Sequence, residues 1–301
     1  MVSDVVGKLQ TRYRRVFDPE NADPIADITV SLELKEGEQP VFHRAYTVPY
    51  AMLPIHDEKL DELIQKGHIY QVKWSRWASP YILVQKPKGY RLCPDMKKTV
   101  NPKLHIYRHK PPIPEDIFSG VAGATCFTVI DLTDAFTQLS LDEASQEMLT
   151  IITHRGLFRY RRLIYGVASA PGLFKHTMDY ILQGIPNVYC FVDDILIPGT
   201  SFKTCLHMVN QVLERLERFN VRIRPEKCKW FESEVEYLGH VLSAAGRRPT
   251  ASKVDAIENL KTPSTVREVR HVIGVVRFYD SYIPHASTIL KPLRYLQRKL
   301  D

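Results

Sequence analysis

Short runs of apolar residues, broken by Gly, Pro and charged turns, make up most of the chain, and only a few stretches keep helical spacing. Residues 50–67 do: Leu60, Leu63 and Ile64 share a face, and Gly67 suits the C-cap. A second helix is predicted over 171–185, with Pro171 in its first turn and Gly184 at its end. A long amphipathic helix follows over 205–220, and two or more helices over 252–300. Between them lie strand patterns. Residues 75–96 predict two short strands around a basic turn, and 124–132 a buried strand. A short helix over 141–149 leads into a hairpin turning at His154, Arg155 and Gly156, and 187–199 predicts another hairpin. Residues 221–231 and 234–246 predict strands with a turn between them. The stretch 101–114 holds Pro102, Pro111, Pro112 and Pro114, so it is expected to cross in extended form. Residues 1–38 are expected as a leader: a short helix over 5–17, a turn, then one strand. Hairpins interleaved with helices, without an internal repeat, predict an α+β fold with an antiparallel sheet.

Composition changes this picture little. At 44% hydrophobic and 25% charged residues, the 301-residue chain is globular and long enough for two or three packed lobes. The uncharged stretches 118–130 and 163–174 fall short of a bilayer span of about 20 residues, so no membrane partner is expected. The N-terminus lacks a signal-peptide core. Cys93, Cys126, Cys190, Cys205 and Cys228 lack zinc-finger spacing and are expected as free thiols. A net charge of +7 admits a polyanionic partner without requiring one.

The anomaly is Asp193-Asp194, two carboxylates inside the apolar run 188–197. Burying an unpaired carboxylate is costly, so such a pair is either a hairpin turn facing water or a pair of cation ligands. Asp131 ends a second apolar run. If the two strands adjoin, three carboxylates converge, and hard oxygen ligands select Mg²⁺ or Mn²⁺, two of which form the clamp used in phosphoryl transfer. The small residues 166–170 would let a substrate approach the backbone, and Lys86, Lys88 and Arg91 form a basic hairpin able to grip a triphosphate.

The order of motifs then carries a resemblance. Asp131-Leu-Thr-Asp-Ala-Phe136, Tyr165-Gly-Val-Ala-Ser-Ala-Pro171 with Phe174, Phe191-Val-Asp-Asp194, Lys227-Cys228 and Tyr237-Leu-Gly-His240 follow one another as the motifs of reverse transcriptases do. The series looks most like the gypsy-type (metavirus-like) LTR retroelements, joined by Trp77-Ala-Ser-Pro80, Arg91-Leu-Cys-Pro-Asp95, Thr99-Val-Asn-Pro102 and residues 253–284. It runs from about residue 30 to the end. Departures fall at 87–90, Pro94, Met96, Arg108-His109-Lys110 and Ile164, which stands where Pro is common.

The resemblance implies a right-hand polymerase of fingers, palm and thumb, with an antiparallel palm sheet packed on helices. Its divisions would be leader 1–38, fingers 39–106 and 139–169, palm 107–138 and 170–243, and thumb with the start of a connection 244–301. It implies RNA-directed DNA synthesis on an RNA or DNA template with a primer and dNTPs, using two Mg²⁺ ions, with Mn²⁺ able to replace them. Asp131 and Asp193 would hold the metals, supported by Asp194 and the Leu132 carbonyl. Lys86, Arg91, the backbone near Asp134, Ala135 and Gly166, and Tyr165 would meet the nucleotide. Phe136 would be the gate against a 2′-hydroxyl. Lys227 would donate a proton to pyrophosphate, and Tyr237, Leu238 and Gly239 would grip the primer. Basic residues from Arg247 to Lys299 would track the duplex backbone. A protease, RNase H and integrase would be covalent neighbours in a polyprotein. The expected compartment is cytoplasmic, in a virus-like particle, with the nucleus as the alternative. Two other readings use the same residues: a catalytically degenerate remnant that only binds nucleic acid, and a metal-dependent nuclease.

Overall fold

Cys126–Asp131 has no polar alternation, and the structure explains why: the strand is covered on both faces. In the computed structural model, which describes residues 2–87, 89–109 and 113–300, it lies inside a four-stranded sheet. The order is Lys229–Glu232, Cys126–Asp131, Asp194–Gly199, Tyr189–Phe191, antiparallel throughout. Cys126 and Ile130 point into the main core with Ile195 and Ile197. Their neighbours Phe127 and Val129 point into a second core with Leu196. The period-2 pleat thus feeds two cores at once. Truncating the fully buried Phe127 to Ala would cost about 3–5 kcal/mol.

The main-core face is closed by the helices Ala170–Ile181 and Phe202–Arg218. In the second helix Cys205, Val209, Val212, Leu213 and Leu216 are buried, a stripe at helical spacing, and Ser201 with Thr204 forms a capping box at its start. The other face is closed by Pro114–Gly120 and by a second sheet, Glu234–Tyr237, His240–Ser243 and Gly246–Pro249. The last of these strands was not expected from the sequence, since its Gly-Arg-Arg-Pro composition is unlike a strand.

An outer lobe carries the helix Leu53–Gln65, a sheet of Ile69–Val72, Gly156–Tyr160 and Thr150–Thr153, and the hairpin Tyr81–Lys86/Gly89–Pro94. Gly67 ends the helix at φ +65, and the Gly67 and His68 N–H groups donate to Ile64 and Leu63. Of the expected helix face, Leu60 is buried but Ile64 is 36% exposed; His56 takes the inner position, hydrogen-bonded to the Tyr81 hydroxyl at 2.7 Å. Lys88, Lys110, Pro111 and Pro112 lie outside the described residues.

Several local expectations differ from the structure. The helix over 5–17 is two, Val2–Arg12 and Arg14–Phe17, divided at Tyr13, whose ring is buried and whose hydroxyl bonds Asn210. The segment expected as a leader contributes Leu9, Tyr13, Val16, Ile25, Val30 and Leu32 to the main core. Its strand shrinks to Thr29–Val30 beside Ser140–Leu141, because the Leu32 N–H leaves the ladder for the Ser145 hydroxyl. Within 221–231 only Lys229–Glu232 is strand, as Pro225 opens a 3-10 turn over Pro225–Lys227. The C-terminal part holds the helices Ala251–Glu258, Val266–Phe278, Ala286–Ile289 and Lys291–Leu300. Among the described residues no helix is long and apolar enough to cross a membrane.

Candidate active site

The sheet register brings the distant carboxylates together. Asp194 lies opposite Asp131 on the adjoining antiparallel strand, so the two side chains share a face. Phe191 also pairs with Asp194, which leaves Val192 and Asp193 as a two-residue hairpin turn. Val192 adopts φ +53, a left-handed conformation that a β-branched residue disfavours. The Asp193 carbonyl accepts the Leu132 N–H at 2.8 Å, which ties the turn to the end of the Asp131 strand.

All three carboxyls are half-buried, and all are held above the ordinary carboxylate range. For Asp131 the cause is burial, opposed by Lys227 and Arg224. For Asp193 burial is joined by repulsion from Asp131 and Asp134. Asp194 is pushed up to about 6 by burial and then by Asp131 and Asp193. One oxygen of Asp131 and one of Asp193, Oδ1 in each, is buried without a hydrogen-bond partner. Native structures rarely leave such atoms orphaned, so the pair fits residues that coordinate a cation. Among the described residues no group of three or more His, Cys, Asp or Glu side chains is placed to hold a metal ion by itself; a Mg²⁺ here would take one or two carboxylates together with the phosphates of its substrate.

Cations border the acids. Lys227 Nζ stands 3.8 Å from Asp131 Oδ2. Arg224, which sequence reasoning missed, spans Asp131 at 3.8 Å and Asp134 at 3.6 Å, and its N–H donates to the Asp131 carbonyl at 2.8 Å. Its only signal was a run of basic residues in a segment read as strand.

The expected nucleotide-binding residues form a second cluster beside the acids. Asp134 sits at φ +41 before the 3-10 turn Ala135–Gln138, and Arg91 approaches its carboxylate at 3.8 Å. The Arg91 guanidinium lies 4.5 Å from the centre of the Tyr165 ring. Phe136 is 6% exposed and wedged between Tyr165, at 4.7 Å between ring centres, and Phe174, at 5.6 Å. Burial pushes the Tyr165 hydroxyl up to about 12, helped by Asp193 and Asp134. Gly166 takes φ +95. Its carbonyl accepts from the Asn101 amide, and the Ala168 N–H donates back to Asn101. Asn101 was seen in the sequence only as part of a motif, without this clamping role.

Lys86 stands apart at the exposed end of its strand. With Arg91, Asp134 and Tyr165 it lines a cavity of about 560 Å³ that reaches back to His68, but the three catalytic candidates do not line it. Of the expected primer-grip residues, only Tyr237 reaches the site by a hydrogen bond. Leu238 and Gly239 turn with φ +50 and +78, and the Tyr237 hydroxyl points to the Tyr189 and Asp194 carbonyls at 3.4 and 3.5 Å.

The family model described as reverse transcriptase (RNA-dependent DNA polymerase) matches residues 85–242. Uncharacterized protein K02A2.6 of Caenorhabditis elegans is 35% identical over 80% of this chain and 19% of its own length. The retrovirus-related Pol polyprotein from transposon opus of Drosophila melanogaster is 28% identical over 99% of this chain and 30% of its own length. The transposon Tf2-3 polyprotein of Schizosaccharomyces pombe is 28% identical over 92% and 21%. The chain therefore spans less than a third of these relatives. Among solved structures, the foamy viral protease-reverse transcriptase in complex with double-stranded DNA superimposes with a TM-score of 0.84 at 22% identity, over 98% of this chain and 52% of that one. The same viral protein with an RNA/DNA hybrid gives 0.83 at 22% identity, over 98% and 40%. The fold is that of a right-hand polymerase with an antiparallel palm sheet packed on helices. A family model that spans more than half of the residues and shares the fold of its solved members decides membership: this chain belongs to the reverse transcriptase (RNA-dependent DNA polymerase) family, as a domain of the kind carried by transposon Pol polyproteins.

Proposed function

We propose that this domain extends a DNA primer along an RNA or DNA template by in-line nucleotidyl transfer, within the polyprotein of a gypsy-type LTR retroelement. The observation that carries the reading is the meeting of Asp131 with Asp193 and Asp194 at the hairpin turn, with two buried carboxylate oxygens left without a hydrogen-bond partner. Asp131 and Asp193 are the residues to hold two Mg²⁺ ions, or Mn²⁺ in their place, with Asp194 and the Leu132 carbonyl in support. Bound there, the ions supply activation of the primer 3′-oxygen and neutralisation of charge on the leaving pyrophosphate.

The chain's own residues do the rest. Lys86 and Arg91 bind the triphosphate, and the Arg91 stack on Tyr165 orients it. The backbone at Asp134, Ala135 and Gly166 and the Tyr165 ring receive sugar and base. Phe136, buttressed by Phe174, leaves no room beside the sugar for a 2′-hydroxyl. Lys227 gives a proton to pyrophosphate from its position near Asp131. Tyr237, Leu238 and Gly239 hold the primer against the catalytic turn. The divisions proposed are a leader 1–38 that packs on the main core, fingers 39–106 and 139–169, palm 107–138 and 170–243, and thumb with the start of a connection 244–301. The polyprotein neighbours are a protease, an RNase H and an integrase, and the compartment is a cytoplasmic virus-like particle.

Primer extension on an RNA template with Mg²⁺ and dNTPs, run beside Asp193→Asn, tests this. Extension abolished by the substitution is expected. Template binding without extension in the unaltered protein would favour the degenerate remnant, and shortening of the template would favour a nuclease.

A further inference from the structure

Gln138 is fully buried, and the reaction proposed above gives it no task. Its side chain is nonetheless saturated with hydrogen bonds. The amide nitrogen donates to the Thr133 carbonyl at 2.6 Å and to the Arg222 carbonyl at 3.0 Å. The amide oxygen accepts the Arg222 N–H at 2.7 Å. Two acceptors and one donor surround it, so only this orientation of the amide satisfies all three, and only glutamine of similar length supplies that pattern. Its backbone carbonyl also accepts the Ile25 N–H at 2.8 Å, which joins the N-terminal segment to the same point.

What these bonds connect gives the residue its meaning. Residues 131–133 and 222–224 run side by side through the isolated bridge Leu132–Ile223, which consists of two backbone bonds, Thr133 N–H to the Arg222 carbonyl and Arg224 N–H to the Asp131 carbonyl. The Gln138 amide acts as an extra rung of that short ladder. One end of the ladder carries the left-handed Asp134 turn with Ala135 and Phe136, and the other delivers Arg224 and Lys227 to Asp131. We propose that Gln138 is a positioning residue for the incoming nucleotide: it holds the Asp134–Phe136 turn in register with the 222–227 segment, so that gate, phosphate contacts and catalytic acid are set at one spacing. This rests on the polymerase reading.

The test compares wild type, Gln138→Met and Gln138→Glu in single-nucleotide incorporation, with thermal unfolding and primer–template binding measured on the same samples. If wild type does not extend a primer, the polymerase reading fails and Gln138 is not the cause. If wild type extends, Gln138→Met is expected to raise KM for dNTP about ten-fold or more and to admit ribonucleotides more readily, with a smaller change in kcat and primer–template affinity at the wild-type level. Should the methionine variant not fold, Gln138→Glu carries the test. Its protonated acid can donate to a carbonyl and its carboxylate cannot, so KM for dNTP is expected to climb with pH in this variant and not in wild type. Variants that lose melting temperature yet keep wild-type KM, ribonucleotide discrimination and pH profile would overturn the proposal and leave Gln138 a packing residue.

Discussion

The outer lobe and the central sheet use acidic side chains to opposite ends. In the outer lobe Glu62 is hydrogen-bonded by Lys66 and Lys59, Asp57 by His154 and Arg155, and Glu147 by Arg76, and each is held below the ordinary carboxylate range by those partners. In the sheet Asp131, Asp193 and Asp194 are all held above that range, first by burial. Paired acids contribute to stability; acids left raised cost it and persist where an absent cation would reward them. The contrast separates charges that hold the fold from the charges proposed to serve the chemistry.

Four changes break or sharpen it. The largest effect is expected from Asp131→Asn. Incorporation falls by on the order of 10³-fold or more, while the melting temperature holds or rises, because the lost charge was already disfavoured by its surroundings. Single-turnover kinetics beside thermal unfolding reads both, and a large loss of stability would place Asp131 with the outer-lobe acids. Next, Phe136→Val is expected to lower discrimination between dNTP and rNTP by roughly ten-fold or more, measured as the ratio of kcat/KM values. An unchanged ratio removes its role as gate.

The third concerns His68, whose ring is lowered to about 4 by burial and by Arg162. The unfolded chain takes up this proton near 6.5 and the folded chain only near 4, so stability is full above 6.5 and is lost as pH falls through that window. The loss is at most about 3 kcal/mol. Denaturant titrations between those pH values should flatten in His68→Gln; an unaltered slope assigns the acid sensitivity elsewhere. The smallest effect is Arg76→Ala. It frees Glu147 with at most a slight fall in melting temperature, since the arginine is largely exposed and its ion pair is screened by water, and with activity unchanged.

Much of this was legible in the residues, for identifiable reasons. The central strands announced themselves because burial on both faces leaves them continuously apolar, and carboxylates inside such runs have no innocent explanation once two runs adjoin. The roles proposed for Phe136, for the loop at Gly166 and for residues 237–239 rest on the order of motifs. Four things were not legible. Gly246–Pro249 pairs through its backbone, to which composition is blind. The N-terminal segment packs through single residues spread over 2–32, too sparse for a periodic signal. Arg224 and Gln138 act across contacts of more than 80 residues, which local spacing cannot reveal. The strain at Val192 also emerges only from the backbone.

Manganese binding followed by electron paramagnetic resonance probes the central contrast most directly, using protein on a primer terminated at its 3′ end with the matching dNTP. Tight Mn²⁺ uptake that needs the nucleotide, disappears in Asp131→Asn and Asp193→Asn, and survives Glu147→Gln is the expected result. Uptake indifferent to the two sheet substitutions would contradict it, because the raised carboxylates would then be waiting for nothing.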